Sequence, residues 1–304
     1  MLKLLLACGL DPDERVRVSG SDEVEYTRGI PLYHCAGTDR MAMAKLLLDA
    51  GADPNAQIVA SGTPVGYAYG VRNEPMVNLL KSYGGVVYAA NAGYYRDVAL
   101  ARELLAKDAQ GALPEGVVPL NETVAEALLE SAASGGDPEI LQMALALIDW
   151  PPDDVRWYWR LWDTLCFWNH RPGIPTADPT LDRSTYLTCF RLLLERSQPH
   201  LRPARFGQTI LHEIAAMGWY IEDDQVIVFA DAALAAGAPL DVRDDLLEST
   251  PLGWACRWGR LKLVRLLLAH GAPATEADSM AWTQPAAWAE RMGHAEIVQE
   301  LTLT

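Results

Sequence analysis

Apolar residues along this chain come in short helical bursts rather than in alternating runs. Leucine-rich stretches at 4–9 (LLLACG), 46–51 (LLLDAG) and 266–271 (LLLAHG) each close on glycine, and ALAAG at 233–237 has the same form. Such a stretch reads as a helix that ends where glycine takes a left-handed backbone without a side-chain penalty. A second phrase recurs ahead of these stretches: IPLYHCA at 30–36, GTPVGYAYG at 62–70, QTILHEIAAMG at 208–218 and STPLGWACRWG at 249–259. Thr-Pro opens a helix, because the Thr hydroxyl accepts from a free first-turn amide and Pro at the first position lacks an N–H that has no partner there. The pattern therefore predicts pairs of helices. Small residues such as Ala215 and Ala255 let them approach closely, and each fully buried Leu contributes roughly 1.5–3 kcal/mol.

The spacing is regular. Ile30 lies 21 residues before Gly51, Thr63 21 before Gly84 and Thr250 21 before Gly271, while Gly51 to Gly84 is 33 residues and Gly237 to Gly271 is 34. A fixed period of this length is the mark of a solenoid. The phrases resemble the T-P-L-H-x-A signature of the ankyrin repeat, clearly at residues 1–87 and 206–304. The resemblance implies an all-α fold, an ankyrin-type α-solenoid of helix-turn-helix repeats with short β-hairpin loops, here about seven or eight units in one solenoid over 1–304. It also implies a non-catalytic scaffold or adaptor presenting a concave groove to a protein partner.

Residues 88–148 depart from the phrase but keep its rhythm. VVYAANAGYYRDVALARELLA reads as two helices, and a further pair is expected near 121–134 and 138–148, capped by Asn121 or Thr123 and broken at Gly135 and Gly136. Pro114, Gly116 and Pro119 mark a loop at 111–119. Residues 149–205 hold a Trp-rich segment and a Pro-rich loop; half of the ten tryptophans fall within 149–168. Tyr158, Leu161, Trp162 and Leu165 share one helical face, with Trp157 and Trp168 on another. The segment reads as an enlarged repeat whose second helix is 184–196, its rings filling a wider gap. The alternative is an exposed patch of Trp157, Trp159, Trp162 and His170, lining a partner surface or the pocket of an enzyme or small-ligand binder.

Charge and cysteines narrow the class. Forty acidic residues against 25 basic ones give a net charge of −15, which disfavours nucleic acid and leaves a basic protein partner as the sharper alternative. No apolar run approaches the roughly 20 residues of a membrane span, so no membrane insertion is expected. Cys8, Cys35, Cys166, Cys189 and Cys256 are odd in number and widely spaced, which predicts neither a disulfide framework nor a metal site and suits a reducing cytoplasm. MLKLLLACG imitates a lipoprotein signal, but its apolar run is shorter than the roughly 7–15 residues of a signal core. As a repeat, it is a second helix without its first, which raises the reading of a regulatory segment of a larger polypeptide.

Enzyme motifs fail. HEIAA at 212–216 puts Ala216 where a zinc protease needs its second His. No nucleophile elbow, P-loop or dinucleotide fingerprint occurs, and no cofactor is expected. By the resemblance, His212 ties turns together and His294 opens a second helix. The residue after the signature His, with those three and four further on, shares one side of the inner helix. This predicts a partner surface of Glu213, Ala216 and Met217, then Trp254, Arg257 and Trp258, then Trp288, Arg291 and Met292, extended by Tyr67, Tyr69, Val71, His34 and Thr38. Trp254 and Trp288 occupy equivalent positions, so stacking inside the solenoid is an equal alternative for them. Hairpin tips add Tyr26, Thr27, Arg205, Phe206, Gln208, Leu246, Leu247 and Ser249. Thr209 to Gly237 spans 28 residues, so an insertion at 219–224 lengthens that repeat and carries Trp219, Tyr220 and Asp223.

Overall fold

The computed structural model describes residues 1–14, 30–57, 62–172, 180–203, 205–218, 220–276 and 278–303. The chain divides into two compact units, Met1–Leu128 and the described residues from Leu129 onward. Every regular element among the described residues is helical, and no helix there is long and apolar enough to cross a membrane.

The first unit holds α1 (Leu2–Ala7) and three pairs: α2 (Pro31–Gly37) with α3 (Met41–Asp49), α4 (Pro64–Gly70) with α5 (Glu74–Ser82), and α6 (Ala89–Tyr94) with α7 (Val98–Ala109). In each pair the first helix is short and the second is as long or longer. First helices pack on first helices, α2 on α4 on α6, and second helices on second, α1 on α3 on α5. This two-row stack is a helix-pair solenoid. Leu32, Ala44, Leu47, Val65, Met76 and Leu80 fill the space between its rows.

Capping sets where the short helices begin. Thr63 is extended and accepts from the Gly66 amide at 3.0 Å, with Pro64 at the first helical position. Asn73 and Asp97 do the same for the second helices, accepting from Met76 and Leu100. Glycine at the far end of the short helices has a packing reason. A Cβ on Gly37 would collide with the Tyr67 ring, and one on Gly70 with the Tyr95 ring, so each repeat receives a tyrosine from the next.

In the second unit the same pairing continues. The division falls within α8 (Val124–Gly135), which Thr123 caps: the Glu126 amide donates to Thr123 Oγ1, and the Thr123 amide to Glu126 Oε2. There follow α9 (Pro138–Leu145), α10 (Arg156–Leu165), α11 (Ser184–Leu194), α12 (Ile210–Ala215), α13 (Asp223–Ala235), α14 (Pro251–Arg257), α15 (Leu261–Ala269), α16 (Pro285–Met292) and α17 (Ala295–Thr302). The row α10, α12, α14, α16 lies against the row α9, α11, α13, α15, α17. The helices expected in the weakly patterned centre are therefore present, and the insertion at 219–224 enters α13 at its start.

His212 shows how one repeat is tied to the next. The ring is fully buried. Its Nδ1 accepts the Thr209 amide at 2.9 Å, and Nε2 lies 3.0 Å from the Ser249 carbonyl. The first bond requires a bare Nδ1, so the proton sits on Nε2 and is donated to the following repeat. Ser249 Oγ lies 3.2 Å from the Thr283 carbonyl, which carries the link one repeat further. The loops are braced by Asp244, whose carboxylate accepts from the Leu246, Leu247 and Ser249 amides. The Asp245 amide donates to the Phe206 carbonyl across neighbouring loops.

Burial holds the His212 imidazole neutral, pushing its pKa down to about 4. An unfolded chain takes up this proton below pH 6.5 while the fold resists it until near pH 4, so the stabilisation is complete above pH 6.5 and is lost as pH falls between those values. In urea titrations from pH 7 to pH 4, wild type is expected to lose on the order of 3 kcal/mol through this group. His212→Ala is expected to be less stable at pH 7 and to show a flatter profile over that interval.

Candidate functional site

The row α10, α12, α14, α16 of the second unit carries most of the residues that the sequence singles out. Trp258, at the C-terminal end of α14, is 48% exposed, and Met292, at the end of α16, is 49% exposed. α14 and α16 are adjacent, so the two side chains stand on neighbouring ends of the same row. Arg257 lies with its guanidinium 5.0 Å from the Trp258 ring centre and 5.5 Å from that of Trp288. Arg291 lies 4.8 Å from the Trp288 ring on its other contact.

Trp254 and Trp288 are core residues, only 7% and 5% exposed. Exposure in the groove is therefore corrected: both rings are buried inside the solenoid, Trp254 meeting His212 and Trp288 meeting Trp282. Each indole is placed by its N–H. Trp254 Nε1 donates to Asp244 at 2.9 Å and Trp288 Nε1 to Ser249 Oγ at 2.7 Å. The Trp254 ring also meets the His212 imidazole edge-on, 5.5 Å between centres. Met217 is buried as well, which removes it from the exposed surface. Its backbone carbonyl takes the Arg260 guanidinium at 2.5 Å, anchoring the end of α12 to the next repeat.

Glu213 connects this row to the Trp-rich helix. Its carboxylate accepts from the Tyr158 hydroxyl at 2.8 Å and from the Trp162 indole, and burial pushes its pKa up. Trp162 is 39% exposed and Trp159 is 43% exposed, their rings 6.4 Å apart edge-to-face. The expected stripe of Tyr158, Leu161, Trp162 and Leu165 is thus buried except at Trp162, which faces outward over Glu213. Two side chains offered for a central patch lie in the core instead. Trp157 is fully buried against Trp150, donating to the Pro151 carbonyl at 3.0 Å. His170 is buried among Phe167 and Tyr186. The four residues therefore share no single surface. α10 is contacted by α11 and by α12, so its Trp157 side is covered as fully as its Tyr158 side, which a single helical stripe does not reveal.

Loop tips vary. Phe206 is exposed in a left-handed backbone, φ 70°, beneath Arg205. Leu246 is exposed and Leu247 half-buried, while Ser249 is fully buried. Tyr26, Thr27 and Trp219 lie outside the described residues. In the insertion, Tyr220 donates to the Cys166 carbonyl at 3.0 Å and Asp223 pairs with Arg260 at 3.0 Å, so both are engaged within the unit. A partly buried cluster that no motif marks joins α8 to α10: Arg160 bridges Glu130 at 2.5 Å and Asp163 at 3.0 Å. Burial pushes the Asp163 carboxyl up to about 7 against the opposing pull of Arg160.

Short helices capped by Thr-Pro, buried loop ties from a signature His and outward side chains on one row define a repeat solenoid of the kind that presents a surface. Comparison with known families identifies the repeat. Ankyrin repeats in three copies match residues 183–278, and one ankyrin repeat matches residues 30–58. The chain carries ankyrin repeats in both of its units. It is also similar to a curated protein of Arabidopsis thaliana named serine/threonine-protein kinase VIK, 37% identical over 71 residues. That stretch is 23% of this chain and 16% of the relative.

Core and surface tryptophans are separable by stability. Trp254→Phe strips one donor from the buried Asp244 carboxylate and is expected to cost on the order of 1–3 kcal/mol, whereas Trp258→Ala is expected to stay within about 1 kcal/mol of wild type in urea unfolding.

Proposed function

We propose that the protein is a non-catalytic binding scaffold that presents the short-helix row of its second unit to a protein partner. The observation that carries this reading is the placement of Trp159, Trp162, Trp258 and Met292 as exposed side chains on α10, α14 and α16, three members of one row. Large aromatic side chains and Met are enriched in interface cores, and the half-exposed rings would bury apolar area on contact. Glu213, Arg257 and Arg291 would supply the polar margin, with Phe206, Leu246 and Leu247 as tip contacts. Trp254, Trp288 and Met217 support the surface from beneath. Ankyrin repeats as a class favour this role, and the net charge of −15 favours a partner with a basic face. A cytoplasmic setting belongs to the same proposal, supported by five free cysteines.

The kinase-named relative favours a second reading, in which these repeats act as a regulatory segment alongside the activity of a larger polypeptide. Both readings depend on a binding surface. The double variant Trp258→Ala, Met292→Ala is expected to lose specific partners in affinity capture from native extract, read by mass spectrometry, while its thermal midpoint stays within a few degrees of wild type. Recovery of the same proteins by wild type and variant, or turnover of a small molecule without any specific partner, would overturn the proposal.

A further inference from the structure

A cleft of about 520 Å3 in the first unit is lined by residues at the ends of α4 and α6, at the start of α7, and along α5 from Glu74 to Lys81 in its last turn. The scaffold surface proposed above does not use it. Its size falls within the roughly 300–1,000 Å3 typical of ligand sites. Three cations line it, Arg72, Lys81 and Arg96, in a chain with an acidic excess of 15 charges. Arg72 and Lys81 are exposed, and among the described residues their side chains make no hydrogen bond or close ion pair, although Lys81 lies within electrostatic reach of Glu103 on α7. Of the two acids in the wall, Asp97 is already engaged, accepting from the Leu100 amide at 2.9 Å and from the Tyr69 hydroxyl at 2.5 Å. Glu74 is the other.

The backbone adds an independent observation. Arg72 and Arg96 occupy the turn between paired helices in left-handed conformation, both at φ 57°. At the corresponding turns Asp39, whose short side chain tolerates this conformation, stands between α2 and α3, and three turns of the second unit carry Gly136, Gly259 and Gly293, while Phe167 is left-handed after α10. A left-handed turn is unstrained for glycine and strained for arginine, so a long cation is kept at two successive turns against the local backbone preference. Both turns line the same cleft. Beside them the rings of Tyr69 and Tyr95, 6.0 Å apart and tilted by 48°, form an aromatic wall.

We propose that this cleft binds a phosphate monoester carried on an otherwise neutral or basic peptide. A phosphate monoester has close to two negative charges and three acceptor oxygens, matching several cationic donors better than a single carboxylate does. The acidic field of the whole chain repels a ligand with many negative charges, which restricts the fit to one concentrated anion with neutral or basic flanks. Arg72 and Lys81 take the oxygens, and Tyr69 and Tyr95 pack against the side chain that bears the phosphate. The reading rests on the scaffold function only in that a protein carries the phosphate.

Full-length protein would be titrated, with fluorescence anisotropy as readout, against a phosphotyrosine peptide flanked by lysines, its unphosphorylated twin, and a twin with Glu at the phosphotyrosine. The phosphopeptide is expected to bind at least tenfold more tightly than either twin, to weaken as salt is raised, and to be displaced by inorganic phosphate. Arg72→Gly is expected to weaken it at least tenfold while leaving the thermal midpoint at or above that of wild type, because glycine relieves the turn. Lys107→Ala, outside the cleft, is expected to change nothing. Equal affinity for the twins, undiminished binding by Arg72→Gly, or preference for phosphoinositide vesicles over the peptide would each overturn the proposal. The Trp258→Ala, Met292→Ala variant should bind the phosphopeptide as wild type does, so failure of the second-unit surface and failure of this cleft give different results.

Discussion

A helix of six to eight residues consists largely of its two ends. Its first four amides and last four carbonyls have no partners within it, so a stack of such helices stands only if side chains and neighbouring turns supply the missing bonds. That constraint organises this molecule. Thr63, Thr123, Thr209 and Thr250 cap first helices, and Asn73, Asp97 and Asp137 cap second ones. Buried His212, Asp244 and Glu276 take up loop groups that neither helix reaches, Glu276 accepting from both Thr250 and Arg243.

Because the loops are satisfied by buried side chains, the row α10, α12, α14, α16 is left to vary on its exposed side. Trp258 and Met292 stand there about half exposed, while Trp254 and Trp288, one turn earlier, have their indole N–H groups committed to Asp244 and Ser249. The two kinds of tryptophan differ in what the N–H meets rather than in their neighbours in sequence.

This explains which features were legible in the sequence. Thr-Pro and the closing glycines announce helix ends through backbone chemistry, which is local, and the helix pairs and their Thr caps were readable from them; the tie made by His212 was implied only by the resemblance of the phrase. The inside and outside of a short helix were not. Trp254 and Trp258 lie four residues apart and share a helical side, yet one is core and the other surface, because the Trp254 N–H is committed to buried Asp244 while Trp258 stands at the C-cap, past the last helical residue of α14. Trp157 misled for a related reason: α10 meets a neighbour on each of two sides, so more of its circumference is buried than one stripe of apolar positions suggests. Arg72 and Arg96 carry no sequence signal, because a left-handed turn is invisible in sequence unless glycine fills it.

The ties made by His212 and Ser249 each reach one repeat along the chain and no further. A scaffold built from such short-range couplings confines the damage of a poor repeat to its immediate neighbours. Sequence drift in the centre of the chain can therefore erase the recognisable phrase while the helices persist, and the Trp-rich member can enlarge without forcing its distant counterparts to change in step.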